Sequence, residues 1–265
     1  LVYNMPAKIN LPDWVDRERL KESIALVFDR HKLLKSSIRL EETGLFGVYD
    51  ENTHIVFEEY EKGKEDAFVR PFDLGKAPFV RVGFTEDALL FDIHHIIADG
   101  ASVNILLREI AAVYEGGVLP DQEAEYPDYA EYFYGLDTKE HKAYFQEMLK
   151  CDWEPVMLPE TKEPKKGGES RIYQIPEDVF TEAGKYARKN GLTDTMVFLG
   201  AYGILLSRYT GRKEILSSII LQNRIHKDTK GMVGMFVNTL PVCLRVENNV
   251  AEYMKEIKEK MLGLF

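Results

Sequence analysis

One stretch constrains this chain more than any other: Leu89-Leu90-Phe91-Asp92-Ile93-His94-His95-Ile96-Ile97-Ala98-Asp99-Gly100. An apolar run of strand length stops at two histidines, and a short loop, an acid and a glycine follow. The next residues, Val103 to Glu115, place Ile105, Leu106, Ile110 and Val113 on or beside one helical face. Ser102 stands where a side chain accepts a backbone N–H as N-cap. The unit therefore reads as strand, tight loop, helix.

Successive side chains of a strand point to opposite faces, so His94 and His95 diverge. One is expected to be packed or hydrogen-bonded behind the sheet, leaving the other free to meet a substrate. The divergence also argues against a metal site, since no further His or Cys lies nearby in sequence. Asp99 can hold an imidazole, pair with a cation or close the loop. Gly100 suits a backbone angle that a Cβ would resist. Taken alone, the same spacing also fits a core histidine and a capping aspartate.

The segment His94-His95-Ile96-Ile97-Ala98-Asp99-Gly100 resembles the H-H-x-x-x-D-G motif of nonribosomal peptide synthetase condensation domains, members of the chloramphenicol-acetyltransferase-like superfamily. Three more stretches resemble that family in chain order. Arg30-His31-Lys32-Leu33-Leu34-Lys35-Ser36-Ser37-Ile38 is similar to R-H-E-x-L-R-T-x-F, with Lys32 and Lys35 as departures. Tyr126-Pro127-Asp128-Tyr129-Ala130-Glu131-Tyr132-Phe133 is similar to Y-x-D-Y-A-x-W/Y. Gly231-Met232-Val233-Gly234-Met235-Phe236-Val237-Asn238-Thr239-Leu240-Pro241-Val242 is similar to I-G-x-F-V-N-T-L-P-x-R, departing at Val242-Cys243 where the family often has arginine, with Arg245 following. Read without the family, Arg30 and His31 are a cationic helix end favoured by the dipole, and the tyrosines are packing.

Elsewhere the pattern alternates between strand and helix. Val2–Ile9 reads as a strand that Pro6 confines to an edge or bulge. Asp13 or Asp16 can cap a helix reaching about Arg30. Ser36–Leu40 and Leu45–Tyr49 form a hairpin. His54 falls in a strand-like run, Lys62–Arg70 reads as a polar helical cover, and Phe79–Phe84 pairs with Ala88–His94. The polar, proline-containing stretch 155–168 reads as a linker between an N-terminal lobe, 1–154, and a partial C-terminal lobe, 169–265. Beyond it a strand is expected at Arg171–Ile175 and helices at Pro176–Asn190 and Thr195–Tyr209. A strand at Glu214–Leu221 and an amphipathic helix at Ala251–Leu264 complete the pattern. Leu1 is no initiator Met, and the chain reads as an internal piece of a longer polypeptide.

The 265 residues are 45% hydrophobic, enough for a sizeable core, and the net charge of −10 disfavours nucleic-acid and anionic-membrane binding. Cys151 and Cys243 form no CxxC, so a reducing cytoplasm is the expected setting. No G-x-S-x-G, P-loop or dinucleotide-binding glycine run is present.

The resemblance implies an α/β fold of two chloramphenicol-acetyltransferase-like lobes arranged in a V around a central cleft. It implies amide formation between a carrier-bound donor thioester and the amine of a carrier-bound acceptor. His95 is then the catalytic residue, with His94, Asp99 and Gly100 completing the motif. Asp99 is expected to pair with Arg30 or with Arg224, and Asn238 to be structural or cleft-lining. No cofactor of its own is implied, because phosphopantetheine arrives on upstream and downstream peptidyl carrier proteins. An adjacent adenylation domain is the other expected partner. Competing readings are a coenzyme A-dependent acyltransferase, an epimerisation domain, a cyclisation variant and an inactive carrier-docking platform.

Overall fold

The computed structural model describes residues 3–122, 124–151, 154, 156 and 172–264. They form two compact units, one of Leu1–Leu136 with Gln222–Asn238 and one of Asp137–Leu221 with Thr239–Phe265. The expected linker at 155–168 lies, except for Val156, outside the described residues. Packing groups 137–154 with the second unit and 222–238 with the first, where the boundaries expected from sequence put each on the other side.

The first unit is built on a four-stranded sheet of β1 (Asn4–Asn10), β4 (Phe57–Glu59), β5 (Val80–Phe84) and β6 (Ala88–His94), in the order β1-β6-β5-β4. β6 runs antiparallel to both its neighbours, and β4 runs parallel to β5. Pro6 sits in an edge strand, where a missing N–H costs no ladder bond. Leu89, Phe91 and Ile93 of β6 join Leu20, Ile24, Val27 and Phe28 of helix α1 (Arg17–Arg30) in the core. Leu106 and Ile110 of helix α2 (Gly100–Tyr114) join the same core. α1 starts at Asp16, whose carboxylate accepts the N–H groups of Glu18 and Arg19. A hairpin of β2 (Ser36–Glu41) and β3 (Gly44–Tyr49) and helix α3 (Tyr126–Tyr134) complete the unit.

The second unit packs helices α4 (Lys139–Met148), α5 (Glu177–Asn190), α6 (Asp194–Thr210) and α7 (Val250–Leu262) with the two-stranded sheet of β7 (Glu214–Leu221) and β8 (Asn238–Arg245). Ile215, Val242, Leu244, Tyr253 and Ile257 form its buried centre. Gly191 and Gly211 end α5 and α6 in the left-handed conformation, φ +61° and +72°. Gly203 within α6 serves close approach: a Cβ there would collide with the Tyr253 hydroxyl and with Leu244.

Three expected elements differ. Lys62–Arg70 holds only a 3-10 turn at Glu65–Ala67, because its residues present no apolar face to fix a helix. Residues 172–175 carry no strand, and Arg171 lies outside the described residues. His54 precedes β4 rather than lying in it. Among the described residues no helix is long and apolar enough to cross a membrane.

Phe84 is fully buried, with the Phe57 ring 6.0 Å away and the Arg17 guanidinium 5.0 Å from its own ring centre. Phe84→Ala should lower unfolding free energy by about 3–5 kcal/mol through lost burial and the cavity left behind. Chemical unfolding checks this against Val56→Ala at a 71% exposed position, expected to stay within about 0.5 kcal/mol of the parent.

Candidate active site

β6 ends at His94, and His95 opens a three-residue turn. The His94 ring lies among Tyr3, Phe72 and Phe79, and its Nδ1 accepts the Ile96 N–H at 3.1 Å. Burial holds this imidazole below its ordinary pKa, against the opposing charge of Asp92. His94 is therefore the packed histidine. The His95 N–H donates to the Tyr3 carbonyl at 2.8 Å, which extends the β1–β6 pairing one residue past the strand. Its half-buried side chain makes no hydrogen bond among the described residues, and its Nδ1 is buried without a partner.

Asp99 closes the turn. It is 1% exposed and is the N-cap of α2. Oδ1 accepts the Ser102 N–H at 2.8 Å and Arg224 Nη2 at 2.9 Å, while Oδ2 accepts the Phe236 N–H at 3.3 Å. Burial alone would raise the Asp99 pKa. The Ser102 N–H and hydroxyl and the Arg224 guanidinium more than offset it, holding the carboxyl below its ordinary value.

Ser102 is thus not the N-cap expected from sequence. Asp99 takes that role, and the serine hydroxyl is released for other work. Its Oγ lies 2.8 Å from Asp99 Oδ1 and 2.7 Å from the Gly234 carbonyl, and it accepts from Gly234 N–H at 3.0 Å and Arg224 Nη2 at 2.9 Å. Gly234 permits this approach, since a Cβ would overlap the Tyr126 ring. Arg224 also donates to the Thr229 and Met232 carbonyls and stacks over Phe236 at 4.1 Å.

Arg30 does not pair with Asp99. Its Nε lies 3.5 Å from Glu109 Oε1, and Nη2 donates to the Pro120 carbonyl. Glu109 stands ten residues beyond Asp99, about 15 Å along α2, out of reach for one guanidinium. The cation of Asp99 is Arg224. His31 is no exposed helix end: it is 4% exposed, with Nε2 2.7 Å from Glu109 Oε2 and Nδ1 3.1 Å from Gln122 Nε2. The sequence reading missed Glu109. The available signal was an acid seven residues, or two turns, after Ser102 on the buried stripe that includes Leu106 and Ile110.

Gly100 also departs from expectation. Its φ lies outside the left-handed region, and a Cβ there would meet nothing within 4 Å. The first residue of α2 therefore faces open space. Asn238 is exposed at the start of β8 and joins neither the histidines nor Asp99 by a hydrogen bond among the described residues.

Known proteins match the chain along nearly its whole length. The family model for the condensation domain matches residues 1–265. The chain belongs to that family. It is 32% identical over 283 residues to surfactin synthase subunit 1 of Bacillus subtilis (strain 168), covering 99% of this chain and 8% of that protein. It is 31% identical over 286 residues to bacitracin synthase 1 of Bacillus licheniformis, covering 100% of this chain and 5% of the synthase. The chain thus spans less than a tenth of the length of these relatives.

Solved structures share the fold. The condensation domain of the monacolin K polyketide synthase aligns with TM-score 0.81 at 19% identity, over 99% of this chain and 67% of that one. A four-domain nonribosomal peptide synthetase bound to AMP and glycine aligns with TM-score 0.80 at 18% identity, over 98% of this chain and 22% of its own. The α/β architecture expected of a condensation domain is therefore the one this chain adopts.

Replacing Arg224 with Met leaves the Asp99 carboxylate buried without its cation, which should cost about 3–5 kcal/mol at pH 7. The folded-state pKa of Asp99 lies below the unfolded one. In the parent its interactions therefore stabilise above about pH 4 and are lost as pH falls through the folded value. In Arg224→Met the carboxyl protonates more readily, so the deficit should shrink between pH 7 and pH 4. Urea unfolding at both pH values measures this, and an equal deficit at each would contradict it.

Proposed function

We propose that this chain catalyses amide formation within a nonribosomal peptide synthetase, joining a donor acyl or peptidyl thioester to the amine of an acceptor aminoacyl thioester. The acceptor nitrogen attacks the donor carbonyl and a tetrahedral intermediate forms. The C–S bond then breaks and the donor thiol leaves with the proton that the nitrogen gives up. Both substrates arrive on phosphopantetheine arms of carrier proteins, upstream for the donor and downstream for the acceptor.

One observation carries the reading: a histidine whose side chain has no hydrogen-bond partner among the described residues stands at the end of a central strand, on a turn clamped at both ends. His94 packs behind the turn, and Asp99, held by Arg224, anchors the far side. In this reading His95 orients the acceptor amine and takes its proton or steadies the charged intermediate. Asp99 is too buried and too fully bonded to exchange protons, so its role is positioning. His94 is likewise a packing and turn-holding residue.

Gly100 gains a meaning from its open surroundings. With no Cβ, substrate can approach the first N–H groups of α2, where the positive end of the helix favours a developing negative oxygen. A thioester is already activated, so alignment of two tethered reactants supplies a large share of the rate. Likeness to a four-domain synthetase bound to AMP and glycine supports an adenylation domain as a neighbour.

The test is single-turnover amide formation between loaded donor and acceptor carriers, followed by mass spectrometry in the parent synthetase. His95→Ala should reduce the rate about 100-fold or more, within the range expected of a positioned proton-transfer group, with the melting temperature unchanged. Gly100→Val should slow turnover while leaving unfolding unchanged, because the added methyls meet substrate and not protein. Parent-like product from His95→Ala would remove that residue from the reaction.

A further inference from the structure

The central strand β6 carries a buried charge that the histidine motif does not use. Asp92 is 0% exposed and lies on the same strand face as His94, two residues before it. Directly across the antiparallel pair stands Arg81, whose Nη1 lies 3.0 Å from Asp92 Oδ2. Asn4 on the other neighbouring strand donates to the same oxygen at 2.7 Å. The second oxygen, Oδ1, is buried without a partner. A buried ion pair in mid-sheet gains little or no stability over two apolar residues of similar size, so its presence calls for a role beyond holding the sheet together.

Its contacts supply one. The Arg81 guanidinium donates at 2.7 Å to each of the Arg70 and Pro71 carbonyls, and so fixes the loop that carries Phe72. It stacks on the Phe72 face at 3.6 Å, and the Phe72 ring meets His94 edge-on with centroids 5.8 Å apart. On the other side Asn4, held by Asp92, stands opposite His94 in the β1–β6 register, next to Tyr3. Tyr3 supplies a second ring against His94 and the carbonyl that receives the His95 N–H. One ion pair thus anchors both walls of the His94 pocket.

We propose that Arg81 and Asp92 are a positioning pair for the histidine turn: by clamping Phe72 on one side and Asn4 on the other, they fix His94 and, through its bond to the Ile96 N–H, the turn that presents His95. Neither residue touches substrate. Desolvation favours the neutral form of His94, whose Nδ1 accepts that N–H at 3.1 Å. The ring orientation is then set by packing and the tautomer by the Ile96 bond. The proposal rests on His95 being the reacting histidine only for its effect on rate; its structural content concerns the turn itself.

Two measurements on the parent synthetase test it. The first is amide hydrogen exchange by mass spectrometry over 92–98, which reads the protected N–H groups of His95, Ile96 and Ile97. Arg81→Met and Asp92→Asn should each speed exchange there at least tenfold, with 103–114 of α2 unchanged. The second is turnover with loaded carriers, where each variant should lose at least tenfold in kcat and keep KM for both carriers within twofold. The double variant Arg81→Met/Asp92→Leu fills the site with apolar groups, and should recover the melting temperature but not kcat.

Parental exchange over 92–98 in the single variants, or parental kcat in the double variant, would overturn the proposal. So would a loss of rate that only tracks the fraction of unfolded protein. If His95→Ala turns over normally while Arg81→Met still loosens 92–98, the pair positions the turn as stated and the role given to His95 is what fails.

Discussion

The Asp99 carboxylate is the constraint on which the first unit depends. A carboxylate at 1% exposure would be driven to take up a proton unless its oxygens were satisfied. They are satisfied from three separate parts of the chain: Ser102 at the start of α2, Arg224, and the Phe236 backbone. The acid therefore caps a helix and also ties 222–238 to the unit that carries the histidines. Only Ile96, Ile97 and Ala98 separate it from His95, so its placement limits where that imidazole can stand.

The same arrangement recurs around this core. Asp92 faces Arg81 within the sheet, Asp99 faces Arg224 at the helix N-terminus, and Glu109 faces Arg30 and His31 along α2. The first pair joins the two strands of one hairpin, the other two join elements distant in sequence, and each is mostly buried. Removing one partner strands a charge, so such pairs fix register and orientation more effectively than they add net stability. The result is a rigid surround with the His95 imidazole, unbonded among the described residues, at its rim. That suits the proposed reaction, in which the protein holds a group in place while two tethered substrates come to it.

Much of this was legible residue by residue. The apolar period of 89–94 and the helical period after 100 placed β6 and α2. The opposed side chains of consecutive strand residues implied one packed and one free histidine, which the structure assigns as His94 and His95. Pro6 marked an edge strand. The cap of α2 was misplaced by three residues because Asp99 and Ser102 are both good N-caps, and only the burial of Asp99 beside Arg224 decides between them. The helix expected at Lys62–Arg70 failed for lack of an apolar stripe.

The choice of cation for Asp99 belonged to the tertiary structure. Arg30 and Arg224 are equally good partners on paper, one 69 residues before the acid and the other 125 after it. The packing of α1 along α2 delivers Arg30 to Glu109, and the return of 222–238 delivers Arg224 to Asp99. Likewise Asn4 comes opposite His94 through strand register, and Phe72 meets it from a loop held by Arg81. Local periodicity and motif chemistry are properties of contiguous residues, so the sequence by itself determined the strand–turn–helix unit and its family. Which charges meet depends on contacts between elements far apart in the chain, and only the folded packing of those elements decided it.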